Sequence, residues 1–242
     1  MKSIFLTWQV PHGKSWHLVG KLTYEEDQRL YRFAYTRGTQ NSAHFMPFEP
    51  MRDVRKMYFS RELFPLFANR LLNKSRPEYS NFLRWLNIEP TIAPNPLLFL
   101  ARSGGMRATD LLRVFGWPEL TRSDGLYEVY FFSGFSQDLR SVWADQTPQL
   151  DSLLGQRLRM VHDGRFSLVL EQEETTKMGE LPGHLAKLFQ RVLNESNSLT
   201  TTVVNVNAEA PWQLKVLCKL AFPEKIKVQL CEEEEFQVIS SY

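Results

Sequence analysis

The chain has 242 residues, 43% of them hydrophobic and 13% aromatic, with 29 Lys+Arg against 27 Asp+Glu for a net charge of +2. That length holds one large domain or two small ones, and the aromatic content supports a buried core and excludes a disordered chain. No apolar run approaches the roughly 18–20 residues of a membrane helix, and the only cysteines, Cys218 and Cys231, make neither a disulfide framework nor a zinc pattern.

The opening run Met1–Trp8 carries one basic residue and meets Pro11 and Gly13, so it reads as a strand rather than a leader peptide. With no export signal, the expected compartment is the cytoplasm. Residues 3–10, 16–24 and 29–37 are expected as three strands, on the aromatic and alternating pattern of Phe5, Trp8, Trp16, Leu18, Leu22, Leu30, Tyr31, Phe33 and Tyr35. A loop comes next over 38–52, where Phe45, Met46 and Phe48 lie between or beside Pro47 and Pro50. From Ser60 the period changes. Leu63, Phe64, Leu66, Phe67, Leu71 and Leu72 recur at helical spacing behind a capping serine. Pro77 opens a second helix with Tyr79, Phe82, Leu83 and Leu86 on one face, and Leu97–Ala101 forms a third that stops at Gly104-Gly105.

Strand chemistry returns at 126–135. A hairpin of Leu158–Val161 and Phe166–Leu170 is expected around the turn His162-Asp163-Gly164-Arg165. Leu185–Leu193 reads as an amphipathic helix, Val203–Val206 and Ile226–Leu230 as strands, and Trp212–Leu220 as mostly helical. The pattern is that of an α+β protein. Its best boundary lies near 118–126, which gives one domain over 1–120 and another over 126–242.

The chemistry that most enzymes advertise is missing. Gly104-Gly105 lacks the Lys-Ser/Thr of a phosphate loop and the spacing of a dinucleotide fingerprint. His12, His17, His44, His162 and His184 stand apart, with no metal spacing. Cys218, beside Leu217 and Leu220, is expected in the core of a helix face. The carboxylate runs at 171–174 and 232–235 are expected to be solvated surface. A non-catalytic protein without metal or cofactor is therefore expected. Charge is uneven: residues 1–125 hold 18 Lys+Arg and 11 Asp+Glu, and residues 126–242 hold 11 and 16. A basic first half is compatible with a phosphate backbone as partner.

Two stretches are similar to known families. Val19-Gly20-Lys21-Leu22, Tyr31-Arg32-Phe33-Ala34-Tyr35, Asn69-Arg70-Leu71-Leu72, Leu97–Ala101 and Gly104-Gly105 together resemble the N-terminal subdomain of HipA-like proteins, over about residues 15–115. The kinase core of that family has no counterpart here, so the resemblance implies an accessory domain. Val129-Tyr130-Phe131-Phe132, Gly155-Gln156-Arg157-Leu158-Arg159-Met160, Phe166–Leu170 and Met178-Gly179-Glu180-Leu181-Pro182 resemble a HIRAN domain, over about residues 126–222. That resemblance implies a small β-barrel that binds DNA, especially single-stranded ends. The chain departs from the family at His162-Asp163-Gly164-Arg165, where an Asn-Pro-x-Asp loop is usual.

Single-strand binders need cations for phosphates and flat rings for bases. The candidates in the second half are Arg157, Arg159, His162, Arg165 and Lys177 as cations, with Phe131, Phe132 and Phe135 as rings and Gly179 as a close backbone approach. In the first half they are Arg52, Arg55 and Lys56, with Arg61, Arg70, Lys74 and Arg76 further on. Two readings stay open. One is a DNA-binding protein, accessory to a bacterial defence, repair or toxin–antitoxin system. The other is a protein-interaction subunit that docks on a larger partner, in part through the aromatic loop 45–48. Neither involves a membrane.

Overall fold

The computed structural model describes residues 2–13, 15–89, 95–117, 119–120, 126–135, 137–144, 150–162, 166–172, 177–186, 199–223 and 232–239. The fold is α+β. Among the described residues the strands are β1 (Ser3–Gln9), β2 (Trp16–Glu25), β3 (Leu30–Tyr35), β4 (Met57–Ser60), β5 (Leu112–Gly116), β6 (Glu119–Leu120), β7 (Tyr127–Phe132), β8 (Arg157–His162), β9 (Phe166–Leu170), β10 (Lys177–Glu180), β11 (Thr200–Val206) and β12 (Val216–Phe222). The helices are α1 (Pro65–Ala68), α2 (Tyr79–Trp85), α3 (Pro96–Ser103) and α4 (Gln137–Ala144). None is long and apolar enough to cross a membrane.

Two compact units result. One joins Met1–Asn73, Asn95–Pro118 and Lys225–Tyr242; the other joins Lys74–Pro94 and Glu119–Glu224. The expected break near 118–126 is one crossing among several, because α2 falls in the second unit and the C-terminal segment in the first. The crossings even out the charge. The first unit holds 16 Lys+Arg against 11 Asp+Glu, a net +5, and the second 13 against 16, a net −3.

The first unit is built on an antiparallel sheet in the order β4-β3-β2-β1-β5. Strand alternation sends Ile4, Leu22, Phe33 and Tyr58, which are successive cross-strand partners, to one face. There they pack with Phe64, Phe67, Leu97 and Leu100 from the helical segments. The expected helix over Ser60–Leu72 is one turn long, and Met57–Ser60 before it is a strand. The turn stops because Arg70 Nε donates to Leu66 O at 2.9 Å, the carbonyl that a longer helix would offer to the Arg70 amide. That amide bonds Phe67 O instead. The same guanidinium is buried and also donates to Gly105 O at 2.8 Å and to both Asp110 carboxylate oxygens, at 2.6 and 3.2 Å. It clamps the end of α1 to the start of β5.

The loop before β4 is anchored as expected. The Tyr35 hydroxyl donates to Met51 O and accepts from the Phe48 amide, both at 2.7 Å. Burial pushes this phenol up to about 12. Phe45 and Phe48 pack on Tyr35, and Met46 alone of the three points outward, 79% exposed.

On the opposite face Phe5 lies between Lys21 and Phe115. The 3-10 turn Arg37–Asn41 lies flat against β2 there. A Cβ on Gly38 would stand 1.9 Å from Leu18 O, so only glycine permits the approach. The C-terminal segment 232–239 covers the rest through Phe236.

The second unit has a sheet in the order β10-β9-β8-β11-β12-β7-β6. Its first strand meets its sixth, because Gly134, two residues past β7, forms an antiparallel bridge with Glu180 at the end of β10. The sheet thus curls into a half-barrel whose ends meet at this one bridge, where a small β-barrel was expected. Tyr127, Val129 and Phe131 on β7, Leu158 on β8 and Leu220 on β12 are its buried side chains. The bridge is tight. A Cβ on Gly179 would fall 1.8 Å from Ser133 Oγ. Helix α2 is stapled to the barrel by β11: Asn205 Nδ2 donates to Arg84 O at 2.9 Å, and Asn207 Nδ2 to Trp85 O at 3.0 Å. These amides satisfy carbonyls that a helix end leaves open.

The segment Trp212–Leu220 is a correction. It is a 3-10 turn, Trp212–Leu214, followed by β12. β12 pairs on both sides and is buried on both faces except at Lys219, so its sequence is an apolar run broken by one lysine, without strand alternation. Strands β4, β5, β6 and β10 and helix α4 were not expected. Of the predicted helix Leu185–Leu193 only the start is described. The predicted strand Ile226–Leu230 and the turn Asp163–Arg165 lie outside the described residues.

Candidate nucleic-acid interface

The curl of the sheet decides which rings in the second unit can meet a ligand. Inward-facing Phe131 is 4% exposed, a core residue opposite Cys218. Phe135 is equally enclosed, its ring 5.5 Å from that of Trp212. Both are corrected from base-stacking rings to packing residues. Phe132 faces out, half-buried, opposite Leu217. Gly179 is also a packing residue, since Ser133 fills the space its side chain would need. Lys177 is ion-paired with Glu180 at 3.3 Å.

The cations on β8 fare better. Arg157 and Arg159 alternate with buried Leu158, so both are exposed on the outer surface. Arg157 stands in a cross-strand row with Thr202, Lys219 and Tyr130. Glu128 takes up part of that charge, accepting from Lys219 Nζ at 2.7 Å and from the Tyr130 hydroxyl at 3.0 Å. His162 ends β8 exposed, its ring 4.8 Å from that of Phe166. Arg165 lies outside the described residues.

In the first unit Arg52, Arg55 and Lys56 are all exposed on the loop before β4. Arg52 is paired with Glu49, and Lys56 lies 4.0 Å from Asp53. The Arg55 amide donates to Asp53 Oδ1 at 2.9 Å, which shapes the loop. Sequence reasoning missed Phe59. This residue of β4 is 57% exposed and pairs directly with Arg32 of β3, so ring and guanidinium share the sheet face opposite the α3 side. Arg32 is held by Glu25 at 3.0 Å. Exposed Arg61 comes one residue after β4. The signal was available: Arg55-Lys56-Met57-Tyr58-Phe59-Ser60-Arg61 is a short aromatic strand between cations.

No catalytic constellation is assembled among the described residues, and no group of three metal-ligating side chains occurs among them. Cys218 sits on β12, fully buried, its thiol pushed up to about 12 by desolvation. A thiol held so firmly protonated is a poor nucleophile. No protein-family model matches the chain, and neither the curated proteins nor the solved structures contain a match.

Proposed function

We propose that the protein is a non-catalytic binder of single-stranded nucleic acid, and that the contact lies on the first unit along β4. The observation that carries this is the exposed Phe59 ring beside Arg32, with Arg55 before it and Arg61 after it, in the unit of net positive charge. An open ring offers a face to any base, and flanking cations track the phosphates, a combination without sequence preference. The resemblance to HIRAN domains supports nucleic-acid binding by the protein though not the β4 location, and the resemblance to HipA-like proteins supports an accessory role. On them the protein serves as an accessory component of a bacterial defence, repair or toxin–antitoxin system. The outer row of Arg157 and Arg159 is a secondary contact in this reading, because it offers charge but no open ring.

Fluorescence anisotropy with a labelled single strand of about 20 nucleotides tests it. Phe59→Ala is expected to weaken binding by roughly 5- to 150-fold, the equivalent of about 1–3 kcal/mol for one stacked base. Arg55→Ala and Arg61→Ala are each expected to lower the salt dependence by about one counterion. Loss confined to Arg157→Ala and Arg159→Ala moves the interface to the barrel. Absence of binding at low salt removes the nucleic-acid reading and leaves the protein-interaction subunit.

A further inference from the structure

The segment 232–239 of the first unit holds a 3-10 turn, Glu234–Phe236, followed by a short extended stretch at Val238, with Phe236 and Ile239 as its apolar anchors. Thr36 and Val238 form an antiparallel bridge at the end of β3. Two main-chain bonds frame it: the Arg37 amide donates to Gln237 O, and the Ile239 amide to Tyr35 O, both at 2.9 Å. Phe236, 7% exposed, sets its ring edge-on to Phe5 at 5.2 Å and against Trp117 at 6.2 Å. Lys21 Nζ caps the same aromatic floor, 5.6 Å from the Phe5 centroid and 5.1 Å from that of Trp117. At the mouth Arg37 Nη1 meets Glu234 Oε1 at 3.0 Å, both side chains largely in water. Strand addition for affinity, one ring pocket for specificity and cations for acidic flanks are the parts of a peptide-recognition groove.

We propose that this groove is a docking site for an acidic, phenylalanine-bearing peptide of a partner protein, and that residues 234–239 occupy it as a built-in competitor. The segment spells out the chemistry that the groove accepts: glutamate two residues before the ring, and a branched aliphatic residue two and three residues after it. Charge complementarity favours such a partner, since Arg37 and Lys21 line the groove and residues 232–235 are four successive glutamates. The exposed ion pair contributes little in water, and the segment is held chiefly by the Phe236 ring, by Ile239 against the core and by the main-chain bonds around the Thr36–Val238 bridge. A hold of that kind is open to competition. The proposal is independent of the nucleic-acid reading, which concerns β4.

The test uses the full chain and a fluorescein-labelled synthetic peptide of residues 232–239. Phe236→Ala empties the ring pocket and is expected to raise the affinity for this peptide at least tenfold over the unaltered chain. Arg37→Glu in the Phe236→Ala background is expected to weaken it severalfold. A peptide with arginine in place of its Glu234 is expected to recover binding to that double variant, a result that misfolding cannot give. Glu234→Arg in the full chain alters only an exposed side chain, keeps the fold, and is expected to loosen the resident segment by a smaller factor. The proposal is overturned if the peptide binds neither Phe236→Ala nor Glu234→Arg at 100-fold excess, or binds without regard to Arg37. It is overturned in favour of a second copy as occupant if the unaltered chain forms concentration-dependent dimers that Phe236→Ala abolishes.

Discussion

The first sheet leaves β4 paired on one side only, and the second curls until Gly134 and Glu180 meet in a single bridge, with β6 as its outer strand. These are two answers to one problem, since an unpaired strand invites other chains. The curled sheet turns Tyr127, Phe131 and Phe166 inside, and its exterior carries a row of Arg157, Lys219 and Tyr130 with Glu128 taking up part of the charge. The open sheet keeps an edge, and it is there that an open ring and exposed guanidinium groups collect. On the proposed function, the sheet with the open edge at β4 is the one that carries the contact.

The contrast extends to how each unit is held. The first depends on a polar clamp at Arg70 and the second on close apolar and backbone contact at its seam. Arg70→Met keeps the aliphatic stem but leaves Asp110 and two carbonyls without their donor. A loss of about 3–5 kcal/mol is expected, toward the lower end because Asp110 is partly hydrated. Hydrogen exchange should rise most in α3 and β5. An equal rise in β12 shows instead that the two units unfold as one.

Gly38→Ala and Gly179→Ala come next, each at about 1–3 kcal/mol or somewhat more for a methyl forced into a filled space. They differ in cure. The Gly38 methyl meets the Leu18 backbone, which has nowhere to go. The Gly179 methyl meets the Ser133 hydroxyl first, so Ser133→Ala in the same chain should restore part of the loss, the Gly134 carbonyl and the Cβ of residue 133 staying 3.1 Å away. Urea midpoints of the two single variants and the double variant decide this. A double variant no better than Gly179→Ala breaks the account of the seam.

The smallest expected effect is alkaline. The Cys218 thiol is raised from 9.0 to about 12 and the Tyr35 hydroxyl from 10.0 to about 12, both by burial. Each folded-state group holds its proton longer than the unfolded one. Their contribution is therefore complete below about pH 9 and is lost as pH climbs toward 12. Thermal midpoints should be level through neutrality and fall above pH 9. In a Cys231→Ser background, iodoacetamide should label Cys218 only as fast as the second unit opens. Prompt labelling at about pH 8.5 contradicts its burial.

Much of this was legible in the residues. Alternation at Ser3–Gln9 and Tyr127–Phe132, and Pro96 opening a helix that stops at Gly104, are local signals, and each element stands where it was expected. The errors arise where local and distant demands conflict. Phe131 and Phe135 look like stacking rings until the bridge at Gly134 shows which side of the strand is interior. β12 looks helical because a strand buried on both faces has lost its alternation. The helix after Ser60 is cut short by a side chain, Arg70, whose partner Asp110 lies far along the chain. Phe59 was overlooked because a four-residue strand is a weak signal beside a longer apolar run.

The pairing of Arg37 with Glu234 spans 197 residues of sequence. A ribosome adding roughly 5–20 residues per second takes about 10–40 s to cover that interval. The first unit is thus the first to leave the ribosome and the last to be finished. From the synthesis of Trp117 to that of Phe236, about 6–24 s at the same rate, Phe5, Phe115 and Trp117 lack their cover, and the nascent chain offers chaperones an apolar surface while the second sheet is still being made.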